Sequence, residues 1–288
     1  MEGRGAERSL GRVIRAARVI HPFPVALNVA ATIGLATIAN EGIPAGSTLV
    51  RLAGAMFCAQ AAIGASNDYC DRDLDAETKP YKPIVQGLLE PRTALLLAGG
   101  AALVAGVLAA TFGPLSLAVG AIGLAAGLAY NVRLKRSILS PVPFMIALPA
   151  LPFWVWVSLD RFSSELWWLI PFAPLAGLAV HLSNTLPDIA ADRRAGVRGL
   201  AHTIGADATR RLAWGSFALA LVLAVALGFR LDYDWRPFAT GAALAAALLG
   251  GAIGAHVVRP GQAAHQIGFG LIGMATAVLA TAWLAAIR

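Results

Sequence analysis

The sequence predicts an all-α, polytopic membrane protein of nine transmembrane helices, and three observations predict it. The chain has 288 residues, of which 58% are hydrophobic and only 14% charged, with a mean hydropathy of +0.68. A soluble domain carries closer to ~25% charged residues. The charge deficit is gathered into apolar stretches near the ~20 residues that a membrane helix needs. The polar residues between those stretches segregate by sign in the way that membrane topology requires.

In chain order the apolar stretches run at about 22–42, 47–67, 93–112, 114–131, 140–159, 166–186, 211–229, 238–258 and 265–287. The first follows a basic flank in which Leu10, Val13, Ile14 and Ala17 alternate with Arg12, Arg15 and Arg18. That spacing suits an amphipathic lead-in helix on the membrane surface or a plain cytoplasmic flank. No small-residue cleavage site follows the run at His21-Pro22-Phe23-Pro24, so no cleavable signal is expected. The remaining stretches are rich in Ala and Gly, which let helix backbones approach closely in lipid. With the N-terminus in the cytoplasm, nine spans leave 18 of the 23 basic residues on the cytoplasmic side. This is the positive-inside bias, so the net charge of +7 reports topology, and nucleic acid is not an expected partner. The expected location is the plasma membrane, multi-pass, and no obligate protein partner is inferred. Cys58 and Cys70 are too few for a disulfide framework or a zinc site. One domain over residues 1–288 is expected.

The strongest motif is an acidic row that occurs twice. NDYCDRDLD ends the second stretch and NTLPDIAAD ends the sixth. Asn67 and Asn184, Asp71 and Asp188, and Asp75 and Asp192 are each separated by 117 positions, which suggests two pseudo-repeated halves. On a helix, positions i, i+4 and i+8 share one face, so each row is expected to present an amide and two carboxylates in line. Asp73, two residues out of phase, falls outside that face. Acids near membrane depth are costly and are usually paired or functional. Hard oxygen donors on two facing helices suit Mg²⁺, which keeps several waters and shares its other positions with phosphate oxygens. Basic residues follow each row: Lys79 and Lys82 after the first, Arg193, Arg194 and Arg198 after the second, and Arg133, Lys135 and Arg136 at the end of the fourth stretch. Such cations can clamp phosphate oxygens and stabilise a leaving diphosphate. Lys79, Arg198 and Arg72, inside the first row, are assigned as diphosphate contacts together with Lys135 and Arg136.

These segments resemble the UbiA-type intramembrane prenyltransferases. NDYCDRDLD is similar to that family's NDxxDxxxD motif. PDIAADRRAGVRGLAHTIG resembles its second acidic motif with an Arg-rich, Gly-ended loop, and YNVRLKR its Tyr and Lys segment. The resemblance runs from about residue 15 to the C-terminus. It implies a central cavity ringed by the nine helices and capped by the cytoplasmic loops. It also implies Mg²⁺-dependent transfer of an isoprenoid from a prenyl diphosphate to an acceptor, expected to be aromatic or a lipid. By motif match, Asn67, Asp68, Asp71, Asp75, Asp188 and Asp192 would hold two Mg²⁺ ions bridging the diphosphate, and Tyr130 would stand near the reacting carbon. Asp71, Asp75, Asp188 and Asp192 are therefore grouped with Tyr130 as the catalytic set. Many members have Arg-Pro after the first motif. Here Lys79-Pro80 and Lys82-Pro83 supply point charges in place of bidentate forks.

Asn28, with Arg18 and His21, could approach an acceptor, and His181 could orient Asn184 or meet the acceptor. His202, His256 and His265 are expected at the surface. Phe144, Phe153, Trp154 and Trp156 are expected to border the cavity, whereas Trp167 and Trp168 suit the membrane interface. Two rival activities keep the same motifs. A terpene cyclase would ionise the same donor and close the cation on its own double bonds. A cation or phosphate transporter would suit the internal repeat, but its polar groups would sit at mid-membrane rather than at helix ends.

Overall fold

Proline at the first or second position starts five of the α-helices, and the chain between helices is short. The computed structural model describes residues 15–194, 196–230 and 235–286, and all regular structure among these residues is helical. A 3₁₀ turn, Ala17–Ile20, leads into α1 (Pro22–Ala39) and α2 (Gly46–Thr78). Then come α3 (Pro91–Ala110), α4 (Pro114–Val132) and α5 (Val142–Ser158). A 3₁₀ segment, Ser164–Leu169, precedes α6 (Ala173–Thr185). Next are a 3₁₀ turn (Leu186–Asp188), the short helices α7 (Ile189–Arg194) and α8 (Leu200–Ile204), and then α9 (Ala206–Gly228), α10 (Trp235–Val258) and α11 (Gln262–Ala286). Residues 10–14 of the expected lead-in helix lie outside the described residues.

Among the described residues, seven helices are long and apolar enough to cross a membrane: α1, α2, α3, α4, α9, α10 and α11. The chain is a multi-pass membrane protein. The fifth and sixth expected spans are shorter than predicted, with 17 residues in α5 and 13 in α6. Pro171 and Pro174 explain the second case, because they fall where the 3₁₀ segment gives way to α6. Proline lacks a backbone N–H and clashes with the preceding turn, so a stretch from 166 to 186 cannot remain one α-helix. α5 keeps Pro149 and Pro152 in its interior and stays helical, packed between α4 and α6.

The main core lies where α6 and α9–α11 meet the far half of α5, around Phe172, Phe217, Ile272, Leu279 and Trp283. Leu151, Trp154 and Trp156 pack there too, so the two tryptophans are core residues. Phe153 stacks with Phe162 and Trp167 at the Ser158 end of α5. Trp167 and Trp168 are exposed, as the interfacial reading expects. A separate small core of Val19, Ala65, Ala94 and Ala98 seats the 3₁₀ turn on α2 and α3. Because the helices alternate in direction, the C-terminal ends of α2, α4 and α6 come to one end of the bundle, together with the start of α1.

Candidate active site

The site begins with the length of α2. It runs 33 residues without a break, about 50 Å at 1.5 Å per residue. Its last three turns therefore carry the first acidic row beyond its apolar part. Asp68, Asp71 and Asp75 are buried along one narrow stripe, with Asn67 on its flank. Asp73 points away, 88% exposed, and pairs with Arg72.

Each buried acid has a cation. Lys135 Nζ lies 2.6 Å from Asp71 Oδ1, and Arg136 donates to the same oxygen at 3.3 Å. Asn67 Nδ2 donates to Asp71 Oδ2 at 3.1 Å and to Asn131 Oδ1 at 3.2 Å. Asn131 is itself fixed, donating to Ile63 O at 2.8 Å and to Ser66 Oγ at 2.7 Å. Asp68 pairs with Lys82 and, at 2.7 Å, with His21 Nε2. Asp75 has Lys79 at 3.8 Å and Lys82 at 3.9 Å.

The local backbone explains why these groups converge. α2 ends at Thr78 because Pro80 and Pro83 cannot continue it, and the following turns fold Lys82 back over the row. His21 adopts a left-handed conformation (φ 54°, ψ 71°) where the 3₁₀ turn meets Pro22. Such a conformation is costly without glycine and persists where the surroundings over-determine it. Gly64 is one of those determinants. A Cβ there would lie 2.8 Å from Ile20 O, so only glycine lets the 3₁₀ turn press on α2 and set His21 beside Asp68.

The second row does not form the single helical face that its spacing suggests. Pro187 converts the chain at Leu186–Asp188 to 3₁₀ geometry, and α7 resumes at Ile189. Asn184 and Asp188 are exposed, and Asp192 faces His202 Nε2 at 3.3 Å. Arg193 donates through Nε and Nη2 to His202 O at 3.2 and 2.5 Å. Gly199 brings this loop against the fourth helix's basic segment, since a Cβ there would meet Lys135 O at 2.9 Å.

Lys79, 3.8 Å from Asp75, feels the carboxylates of both rows. Burial pulls its ammonium pKa down, but Asp75, Asp188 and Asp192 more than offset that and hold it above the ordinary value. Tyr130 lies within electrostatic reach of Asp192 and Asp71. Its ring meets Phe144 at 5.4 Å and His181 at 5.8 Å, both edge-on. Phe144 and His181 are 5.0 Å apart, so the three rings form a small cage below the acids.

Several expected site residues stand elsewhere. Arg72 donates to Tyr69 O at 2.8 Å and lies over the Tyr69 ring, away from the buried stripe. Asn28 donates to Pro24 O one turn back on α1. Arg198 is exposed in a cavity of about 340 Å³ that it shares with Arg193, His202 and Thr203. His181 is 1% exposed and bonds Ser140 Oγ at 3.1 Å, so it neither contacts Asn184 nor opens to solvent. His202 is buried rather than superficial, because the loop folds it onto Asp192. His256 and His265 are half-buried and stack on each other. His21 and Asn131 were not expected as supports of the first row. A polar amide at the end of an apolar span beside Tyr130 was the available signal for Asn131.

Among the described residues, no three His, Cys, Asp or Glu side chains stand close enough to enclose a metal ion by themselves. The donor chemistry nevertheless fits a hard cation. Asp68 Oδ2 and Asp75 Oδ2 are buried without a hydrogen-bond partner. Buried carboxylate oxygens are costly to leave so. Lysines now hold the acids, and long flexible lysines can turn outward.

Comparison with known proteins places the chain in a family. Over 183 residues, the chain is 27% identical to the bacteriochlorophyll synthase 33 kDa chain of Cereibacter sphaeroides, covering 61% of this chain and 60% of that one. It is 27% identical over 192 residues to digeranylgeranylglyceryl phosphate synthase of Methanopyrus kandleri, covering 67% and 70%. Its fold is similar to a solved structure of digeranylgeranylglyceryl phosphate synthase, with a TM-score of 0.74, 14% identity and coverage of 96% and 98%. It is also similar to an Archaeoglobus fulgidus UbiA homologue bound to GPP and Mg²⁺, with a TM-score of 0.66, 15% identity and coverage of 92% and 99%. The UbiA prenyltransferase family model matches residues 27–270, and the chain belongs to that family.

Proposed function

We propose that the protein transfers an isoprenoid chain from a prenyl diphosphate to an aromatic or lipid acceptor within the membrane, in an Mg²⁺-dependent reaction. One observation carries the reading: Lys79 feels the carboxylates of two acidic rows 117 positions apart, and two buried carboxylate oxygens of the first row have no hydrogen-bond partner. The relatives' names and the GPP and Mg²⁺ bound to the Archaeoglobus homologue support it.

Asn67, Asp68, Asp71 and Asp75 would hold one Mg²⁺, and Asp188 and Asp192 a second. When bound, Mg²⁺ stabilises the negative charge that develops on the leaving diphosphate. Lys79, Lys82, Lys135 and Arg136 then turn from the acids to the diphosphate oxygens. Arg136 is half exposed already and is the first of them that an arriving phosphate meets. Tyr130 and Phe144 present ring faces and edges to the allylic carbon and favour cationic character there. The buried cage around His181 keeps water from quenching that carbon.

α1–α6 and α9–α11 would supply nine crossings around the substrate cavity. At about 1.5 Å per residue, the 17 and 13 residues of α5 and α6 give about 25 and 20 Å, and the 3₁₀ segments complete those two. The loops at 79–90, 133–141 and 189–205 would form a cytoplasmic cap over a plasma-membrane domain with two pseudo-repeated halves. Incubation of the purified protein with labelled prenyl diphosphates and Mg²⁺, with and without candidate acceptors, tests the activity. Expected is a product whose mass is acceptor plus prenyl chain. A cyclised hydrocarbon formed equally well without acceptor would mark a cyclase, and intact donor throughout would end both readings.

A further inference from the structure

One cluster of polar side chains lies apart from the acidic rows. A crevice between α6, α9, α10 and α11 is lined by Ser183, Arg210, Trp214, His256, His265 and Phe269. The His256 and His265 rings are parallel to within 7°, with centroids 5.7 Å apart. Trp214 meets His256 edge-on at 6.0 Å, and the Arg210 guanidinium lies 5.5 Å over the Trp214 ring. Arg210 Nη1 pairs with Asp207 at 2.8 Å. Three buried nitrogens of this cluster, Arg210 Nε, His256 Nδ1 and His265 Nε2, have no hydrogen-bond partner. A buried polar group without a partner is costly, and three around one crevice mark a place for an acceptor.

The chemistry of that acceptor follows from the lining. Arg210 Nε–H is a donor at any pH, and each neutral imidazole can turn its one N–H toward the crevice, so the lining favours an oxygen acceptor over a cation. No third metal-ligating side chain joins the histidines among the described residues, and the adjacent Arg210 opposes a metal ion. The crevice is partly open, and its inner part has about 10 Å³, room for one oxygen atom. The ligand therefore enters oxygen first and keeps its remainder outside, against the apolar Trp214 and Phe269. Ser183 precedes Asn184 of the second row, so the crevice opens at the end of the bundle that carries the acids, at the depth of lipid headgroups.

We propose that this crevice binds a phosphate group through one inserted oxygen, supplied by an anionic lipid headgroup or by free phosphate. The site is separate from the diphosphate site and does not depend on the activity proposed above. Native mass spectrometry of the full chain in detergent, with phosphatidylglycerol or the phosphate-free diacylglycerol added, reads lipid retention. Thermal unfolding with inorganic phosphate reads the free ion. Wild type should retain one phosphatidylglycerol about tenfold more than diacylglycerol, or gain thermal stability with phosphate, as the loss of charge-assisted hydrogen bonds implies. Arg210→Gln and His265→Gln should each abolish the effect. Retention of phosphatidylglycerol assigns the lipid source, and stabilisation by phosphate alone assigns the free ion. Equal retention of both lipids by wild type with no phosphate effect overturns the proposal, whatever the variants do. So does unchanged binding in variants that keep the wild-type Tm.

Discussion

Asp71 and Asp73 stand two residues apart on one helix and face opposite ways, the first buried between Lys135, Arg136 and Asn67, the second in solvent. Asp71→Ala is expected to lower turnover by about 100-fold or more, the scale of removing a group that stabilises transition-state charge. Asp73→Ala should stay within a few-fold of wild type. Product formation normalised to folded protein checks both, and equal loss in the two variants would remove the buried stripe from the site. Lys79 gives a pH test. Its folded pKa is raised above the ordinary value of 10.5 by the acids of both rows. Its pairing is therefore complete below that value and is lost only as pH rises through the folded one. The Tm difference between wild type and Lys79→Gln should stay flat between about pH 7 and 9. A difference that shrinks across that window would contradict the placement of Lys79 between the rows. The first acidic row was legible as spacing, since helical phase separates 68, 71 and 75 from 73. The partners of those acids were not. His21 comes from 47 positions away and Asn131 from 64, and no local pattern announces such pairs.

α2 joins membrane span and acid-bearing extension in one piece, and its register against the 3₁₀ turn fixes His21 on Asp68. Gly64→Ala should destabilise the protein by about 1–3 kcal/mol, because the added Cβ meets the Ile20 backbone rather than a movable side chain. Gly34→Ala, in α1 with open space around it, should be neutral or stabilising by up to about 1 kcal/mol. Thermal unfolding of the two variants in one detergent decides. If Gly34→Ala costs as much as Gly64→Ala, close approach does not set this junction. At this scale the sequence was read well where hydrophobic length decides and poorly where proline does. Seven spans were legible as apolar stretches. The sixth stretch, 166–186, is broken into 3₁₀ and α pieces at Pro171 and Pro174, and the 3₁₀ turn at Pro187 follows it. The same proline turns the second row away from the regular face that its spacing suggested.

Across the whole molecule, the ends of α2, α4 and α6 share one side, and the loop at Arg161 lies at the other end of α5. In a Cys58→Ala, Cys70→Ala background, cysteines at positions 136 and 161 should react with impermeant reagent from opposite faces of sealed vesicles. Labelling of both from one face would contradict the threading. Composition made the membrane class legible, and the repeat pointed to the two acidic rows. The loop that buries His202 on Asp192 was not legible, because its contacts depend on the close approach of Gly199 to Lys135. The central claim is that the two rows form one diphosphate site. Equilibrium binding of a non-ionising prenyl thiodiphosphate to wild type, Asp71→Ala and Asp188→Ala, with Mg²⁺ or with chelator, tests it most directly. The account predicts Mg²⁺-dependent binding to wild type that is weakened by about tenfold or more in each variant. Full affinity in chelator, or wild-type affinity in Asp188→Ala, would contradict it.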